Sequence, residues 1–362
     1  MGDPGPAPDE PASALGRLRG GVRDLFPGYF ALVMATGIVS TAVSADGSDG
    51  LSAALLVLSI ACYLVLIVLY CWRFAGYRQQ FLASATAPPT AFALFTFTAA
   101  ADVLGARLAA DGHFTATAVL LVVAGLSWLP LCYGVPLHLI TAHGTRSALA
   151  GINGSWFLWV VGTQSLAVAL ASLAPPVDHW LATLAAMLWT VGVVLYVIIA
   201  TLVLAGLLHF PVQAASLTPA YWVFMGATAI SVLAGAKLLA LPADPVLTAI
   251  RPVVSGVSVI LWAFGTWLIP LLVGLGVWRH LIRRVPLRYE PGLWSIVFPL
   301  GMYCVASETL GGALHARWQV TLGHDGTWVA FAVWAVVFAA MLWFLVSARR
   351  YNRATPAQAI DC

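Results

Sequence analysis

The sequence is poor in charge. Only 9% of its 362 residues are Asp, Glu, Lys or Arg, where a soluble protein carries roughly 25%. That is too few to coat a water-facing surface. Lysine is almost missing: Lys237 stands alone beside sixteen arginines. A net charge of +3 with arginines scattered through loops excludes a nucleic-acid partner, which needs a basic stripe. The five cysteines (Cys62, Cys71, Cys132, Cys304, Cys362) are odd in number and show no CxxC spacing, so neither a disulfide framework nor a zinc site is expected. Eight histidines are present. His138 and His143 lie near a loop, His209 and His280 at helix ends, and none forms an HExxH, paired-haem or nucleophile pattern. No enzyme activity, cofactor or metal is expected.

Apolar residues are abundant instead. They make up 61% of the chain, and runs of about 18 or more recur along it, the signal of membrane helices. We read an all-α integral membrane protein with ten transmembrane helices, at about 27–45, 51–73, 89–110, 114–139, 152–173, 178–208, 219–241, 249–277, 291–314 and 326–347. Residues 26–348 form one membrane domain, and 349–362 form a short cytoplasmic C-tail. Residues 1–25 are rich in Pro, Gly and charge without an apolar stretch, which predicts a disordered cytoplasmic N-tail rather than a signal peptide. Basic residues decide the side. The tails and the second, fourth and eighth connections, with Arg73, Arg78, Arg146, Arg279, Arg283, Arg284 and Arg288 among them, hold 13 of the 17. By the positive-inside rule both termini are cytoplasmic. Abundant Arg, Ala and Gly with scarce Lys is the composition of a GC-rich bacterial genome, so a bacterial plasma membrane is expected.

The odd-numbered spans begin alike, with "PGYF" (27–30), "PTAF" (89–92), "NGSW" (153–156), "PAYW" (219–222) and "PGLW" (291–294), at intervals of 62, 64, 66 and 72 residues. This period predicts five helical hairpins. Even spans such as "FAVWAVVFAAMLWFLV" (331–346) are large and aliphatic or aromatic. Odd spans collect Gly, Ala, Ser and Thr, together with Asp102, Gln164, Lys237 and Glu308. Small residues allow close approach, and intramembrane charges turn from lipid. The odd helices are therefore expected inside, in a quasi-fivefold arrangement lining a central pore.

Counting from the first residue of each repeat, positions +7, +11, +14 and +18 share a helix face. They predict a lining of Met34, Ile38, Thr41, Thr96, Ala100, Val160, Gln164, Gly226, Ile230, Met302 and Val305, with Phe298 at the +7 level. The charges on this face are Arg107 and Lys237, at the outer end. Cations at the mouth of a narrow apolar tube attract anions and repel cations. Pro299 lacks an N–H and bends a helix. Beside it, Phe298 reads either as a plug across the lumen or as a packing residue next to an ordinary kink. Glu308 is placed to meet Lys237 and Asp102 to meet Arg107, either as rim ion pairs or as proton-coupling carboxylates.

"FPGYFALVMATGIVS" (26–40) and "WSIVFPLGMYCVA" (294–306) resemble the first- and ninth-helix signatures of the tellurite-resistance/dicarboxylate transporter family. That family includes the bacterial tellurite-resistance protein, fungal malate permeases, sulfite efflux pumps and plant slow-type anion channels. The resemblance implies ten helices as five hairpins around a pore, assembly as a homotrimer, and a gate at Phe298 beside Pro299. It further implies an anion channel or facilitative transporter for C4-dicarboxylates such as malate, or for small inorganic anions. The alternative is a proton-coupled dicarboxylate, sulfite or tellurite carrier using Asp102 or Glu308. The partners expected are the anion, the lipid bilayer and further copies of the chain.

Overall fold

The computed structural model describes residues 14–141, 148–177, 179–242 and 245–351. No β-strand occurs among them. The helices are α1 (Ala14–Arg23), α2 (Ala31–Ala45), α3 (Asp49–Gly76), α4 (Arg78–Thr86), α5 (Phe95–Ala110) and α6 (Phe114–Thr141), followed by α7 (Phe157–Val177), α8 (His179–His209), α9 (Val223–Ala240), α10 (Pro245–Val277), α11 (Trp294–Ala313) and α12 (Arg317–Tyr351). Among the described residues, eight helices are long and apolar enough to cross a membrane. They are α3 and α6 to α12, so the chain is a helical, multi-pass membrane protein. Helices α2 and α5 are shorter, 15 and 16 residues, because turns consume the first residues of the corresponding apolar runs. Residues 27–30 and 90–94 are turns, and Gly154–Trp156, Pro219–Trp222 and Pro291–Leu293 are 3-10 turns. Pro219 and Pro291 open theirs, where a missing N–H costs nothing.

Two helices lie at bounds other than those expected. Helix α1 lies within the expected N-tail: Val22 is buried, and the Arg73 guanidinium donates to the Arg23 carbonyl at 3.1 Å, holding it to α3. Helix α12 starts at Arg317 rather than 326, because Gly323 and Gly326 let its polar first turns lie on α11 around Cys304. Residues 1–13, Arg146, His143, Arg353 and Cys362 lie outside the described residues, as does the C-tail beyond Tyr351.

Burial separates two classes of helix. In the apolar stretch of Gly154–Ala174, 89% of residues are buried, and in Pro219–Ala240, 83%; in Phe114–Thr141 only 17% are. The packing runs from α2 to α5, α5 to α7, α7 to α9, α9 to α11, and α11 back to α2. Helices α3, α6, α8, α10 and α12 each pack on the inner helix just before them in sequence. Hydrocarbon gives helices no hydrophobic reason to associate, so close approach and hydrogen bonds must hold them. Glycines provide the approach. A Cβ on Gly226 would lie 2.8 Å from the Pro299 ring, and one on Gly301 would lie 2.9 Å from Ile38.

Tryptophans provide many of the hydrogen bonds, and the sequence reading had not singled them out. Trp128 of α6 donates its indole N–H to Thr163 Oγ1 of α7 at 3.0 Å, and Trp189 of α8 to the Ser231 carbonyl of α9 at 2.9 Å. Trp262 of α10 donates to Ser307 Oγ of α11 at 2.8 Å, and Trp334 of α12 to Thr36 Oγ1 of α2 at 3.1 Å. Each bond ties an outer helix to the next inner helix around the molecule. Between α3 and α5 a stack of Tyr63 on Phe97 takes that place, ring centroids 5.8 Å apart.

The glycine contacts predict a contrast. A Cβ at Gly323 would meet backbone, 2.7 Å from the Cys304 carbonyl oxygen, while one at Gly256 meets nothing within 4 Å. Gly323→Ala is expected to lose about 1–3 kcal/mol of stability through overpacking. Gly256→Ala is expected to be neutral or to gain up to about 1 kcal/mol from helix propensity. Thermal unfolding of the two variants in detergent checks both.

Candidate functional site

A cavity of about 470 Å³ lies among α2, α5, α7, α9 and α11. Its lining reaches Ala45, Ala110, Ala240 and Ala313, at the C-terminal ends of four of these helices. The cavity therefore belongs to the half of the molecule away from α1. Five residues of the expected lining border it: Ile38, Thr41, Ile230, Met302 and Val305. Lys237, Asp102 and Glu308 border it too. The +7 residues Met34, Thr96, Val160, Gly226 and Phe298 are buried and outside its lining. Phe298, only 1% exposed, sits one turn before Met302 on α11, with Pro299 packed on Gly226. Helix α11 continues through Pro299. On α11 the lining begins at Met302, one turn after Phe298.

Helix α7 differs from the expectation. Ser165 and Val168 face the cavity, while Gln164 turns outward, donating from Nε2 to the Trp189 carbonyl at 3.1 Å in the space left by Gly192. The cause is local. Asn153 is the N-cap of its turn, its side chain accepting the Ser155 N–H at 2.8 Å, whereas Pro219 and Pro291 are the first residues inside theirs. Gly154, not Asn153, is therefore equivalent to the prolines, and the α7 register moves by one residue. Ala100 is buried and likewise does not border the cavity.

The charges are arranged differently from the sequence pattern. Arg107 leaves the cavity and is held by three groups. It donates to Asp111 Oδ1 at 2.6 Å, to Ser52 Oγ at 2.9 Å and to Ser40 Oγ at 3.4 Å. Residues four apart share a helix face while residues five apart do not, so Asp111 rather than Asp102 pairs with it. Ser40 and Ser52 also exchange hydroxyl-to-carbonyl hydrogen bonds at 2.8 Å each way. Asp102 is 1% exposed. Ser165 Oγ lies 2.8 Å from its Oδ2, and its Oδ1 has no hydrogen-bond partner among the described residues. Among the described residues no ion pair joins Glu308 to Lys237, although both border one cavity. Near Glu308, the His324 ring nitrogen Nδ1 donates to Asp46 Oδ1 at 2.6 Å, linking α12 to the end of α2. The cavity is thus a mostly apolar vestibule with Lys237, two carboxyls, Ser165 and the threonines Thr41 and Thr309 on its wall.

Residues 24–342 match the family described as SLAC1, voltage-dependent anion channel. The chain belongs to this family. The match runs from before α2 through α11 and into α12, ending at residue 342. Among curated relatives, an uncharacterized membrane protein of Mycobacterium tuberculosis is 51% identical over 42% of this chain and 78% of its own length. An uncharacterized transporter of Methanocaldococcus jannaschii is 22% identical over 87% of this chain and 93% of its own. The sulfite efflux pump SSU1 of Arthroderma otae is 24% identical over 88% of this chain and 90% of its own. Full-length similarity to proteins named as transporters, together with the family, identifies a membrane protein of anion channel or transporter type.

The two cations should behave differently on mutation. Arg107→Gln strips hydrogen bonds from the buried Ser40 and Ser52 and from the exposed Asp111, and a loss of about 1–3 kcal/mol is expected. Lys237 makes no side-chain hydrogen bond or ion pair among the described residues, so Lys237→Gln should leave thermal stability within about 0.5 kcal/mol. Unfolding temperatures of both variants, read side by side in one detergent, check this.

Proposed function

We propose that the protein conducts or facilitates the passage of anions through the centre of the five inner helices, with Phe298 as the occluding gate. The observation that carries this reading is the vestibule itself. It is lined by α2, α5, α7, α9 and α11, holds Lys237 with no ion-pair partner among the described residues, and on α11 is lined from Met302, one turn after the buried Phe298. In this reading the protein has ten spans as five hairpins in a quasi-fivefold arrangement. The cyclic packing and the five tight turns before the inner helices support it. Pro299 leaves the carbonyl one turn earlier without its helical donor, which softens α11 where Phe298 must move. The arginine bias supports cytoplasmic termini, and the family resemblance implies a homotrimer.

The substrate in this reading is a small anion. C4-dicarboxylates such as malate and inorganic anions such as sulfite or tellurite all fit a vestibule of this size, and a relative named for sulfite efflux favours small oxyanions. Glu308 and the open Oδ1 of Asp102 favour a second reading, a carrier in which one carboxyl moves a proton with the anion. Carboxyls on an anion path have a use if they are neutralised as the anion passes.

Currents through purified protein in planar bilayers test the gate. Phe298→Ala is expected to raise anion conductance about tenfold or more over wild type, the effect of removing roughly 1.4 kcal/mol of barrier, with reversal potentials ranking malate, chloride and sulfite. The absence of anion current in both proteins would sink the channel reading. Uptake into liposomes driven by a pH gradient, lost in Glu308→Gln while exchange persists, would establish the carrier instead.

A further inference from the structure

A second cavity, of about 410 Å³, lies at the opposite end of the molecule. It is formed by the end of α10 with the π-turn Trp278–Ile282, the strand-like connection to α11, and the segment before α9. Arg279, His280 and Arg288 border it, with Glu290 as its carboxylate. Arg279 is poorly satisfied for a guanidinium that is 12% exposed. Its Nη1 donates to the Leu217 carbonyl at 2.5 Å, Glu290 Oε1 stays 3.9 Å from Nη2, and Nε is buried without a partner. His280 Nδ1 lies 2.8 Å from the Val285 carbonyl oxygen, so this nitrogen donates and Nε2 stays available. No ion pair involves Arg288 among the described residues. The surroundings are apolar. Leu281, Ile282 and Leu287 are exposed, Leu272, Leu275 and Ile296 line the cavity wall, and Arg283 stacks on Trp278 at 5.0 Å.

Exposed leucines interleaved with arginines and a tryptophan mark the depth at which acyl chains give way to headgroups. A phosphate there meets the guanidinium N–H groups of Arg279 and Arg288, which border the cavity, and the long 3.9 Å pair between Arg279 Nη2 and Glu290 leaves that nitrogen able to take a charged acceptor. We propose that this cavity binds the phosphate of an anionic phospholipid, with Arg279 and Arg288 as its cationic walls and the acyl chains lying along Leu281, Ile282 and Leu287. Glu290 sets the selectivity: with one carboxylate against two arginines, a single anionic phosphate balances the site. The exposed apolar rim distinguishes a lipid from a soluble phosphate, which has no use for it. The site is separate from the vestibule and independent of which anion is transported.

Native mass spectrometry of the full-length protein in mixed micelles tests this, with phosphatidylglycerol and phosphatidylcholine as competing probes. Wild type is expected to retain phosphatidylglycerol preferentially. Arg279→Gln and Arg288→Gln should each weaken retention about fivefold, the worth of one interfacial cation, while Arg78→Gln on α4 should leave it unchanged. Among the described residues Arg288 makes no side-chain hydrogen bond or ion pair, so Arg288→Gln decides the matter even if Arg279→Gln does not fold. Equal retention of the two lipids, or unchanged retention in Arg288→Gln, overturns the proposal. Displacement of phosphatidylglycerol by inorganic phosphate alone also overturns it and assigns a soluble-anion site.

Discussion

The contact between the first and last helical hairpins is the one on which the rest of the structure depends. Helix α11 packs on α2, and three hydrogen bonds reinforce the junction at three depths. At the end near α1 the Tyr29 and Tyr289 hydroxyls lie 3.2 Å apart; midway Trp334 donates to Thr36; at the far end His324 donates to Asp46. Burial pushes the Tyr289 phenol well above its ordinary range. These partners are separated by 260, 298 and 278 residues. Without this closure, the inner faces carrying Asp102, Lys237 and Glu308 would meet lipid, where a charge costs several kcal/mol.

The same economy of polar groups runs through the molecule. Outer helices expose long apolar side chains and spend few polar atoms; in α6, α8, α10 and α12 one is an indole N–H directed inward. Inner helices bury serines and threonines that return their hydroxyls to their own backbone, as Thr36, Thr163 and Ser307 do, while accepting those indoles. The hydroxyl thus serves two helices at once. Arg107 follows the same logic at the rim. A cation in the last turn of α5 faces the negative end of the helix dipole, and three acceptors complete its shell. Lys237, in the last turn of α9, has no such shell and faces the vestibule.

How much was legible follows from what each feature depends on. Helix, hairpin and inner-versus-outer assignments depend on composition and period within one segment, so the sequence shows them. "LLVLSIACYLVLIVLY" and "TAAADVLGARLAA" differ enough to separate a lipid-facing helix from a buried one. The faces of α2, α9 and α11 were legible because proline or its equivalent marks the same turn position in each. The face of α7 was not, since Asn153 is a cap rather than a first turn residue, and one residue of error turns a helix by about 100°. That error placed Gln164 on the vestibule in place of Ser165. The tryptophan links were hidden for another reason. Tryptophan is common at membrane interfaces, so an indole in a lipid-facing helix carries no sign of its partner.

By itself the sequence determined the solvent of this protein and its repeat: too little charge for water, and five returns of one small-residue helix with a greasier helix after each. It also set the chemistry available at the vestibule, because the few ionisable residues inside the apolar runs can be counted. Only the tertiary structure decided which of them meet. Arg107 and Lys237 occupy equivalent positions along their helices, yet one is enclosed by Ser40, Ser52 and Asp111 and the other borders the vestibule. Pairing depends on what neighbouring helices present at the same depth, and that is a property of their register against one another, which no single helix contains.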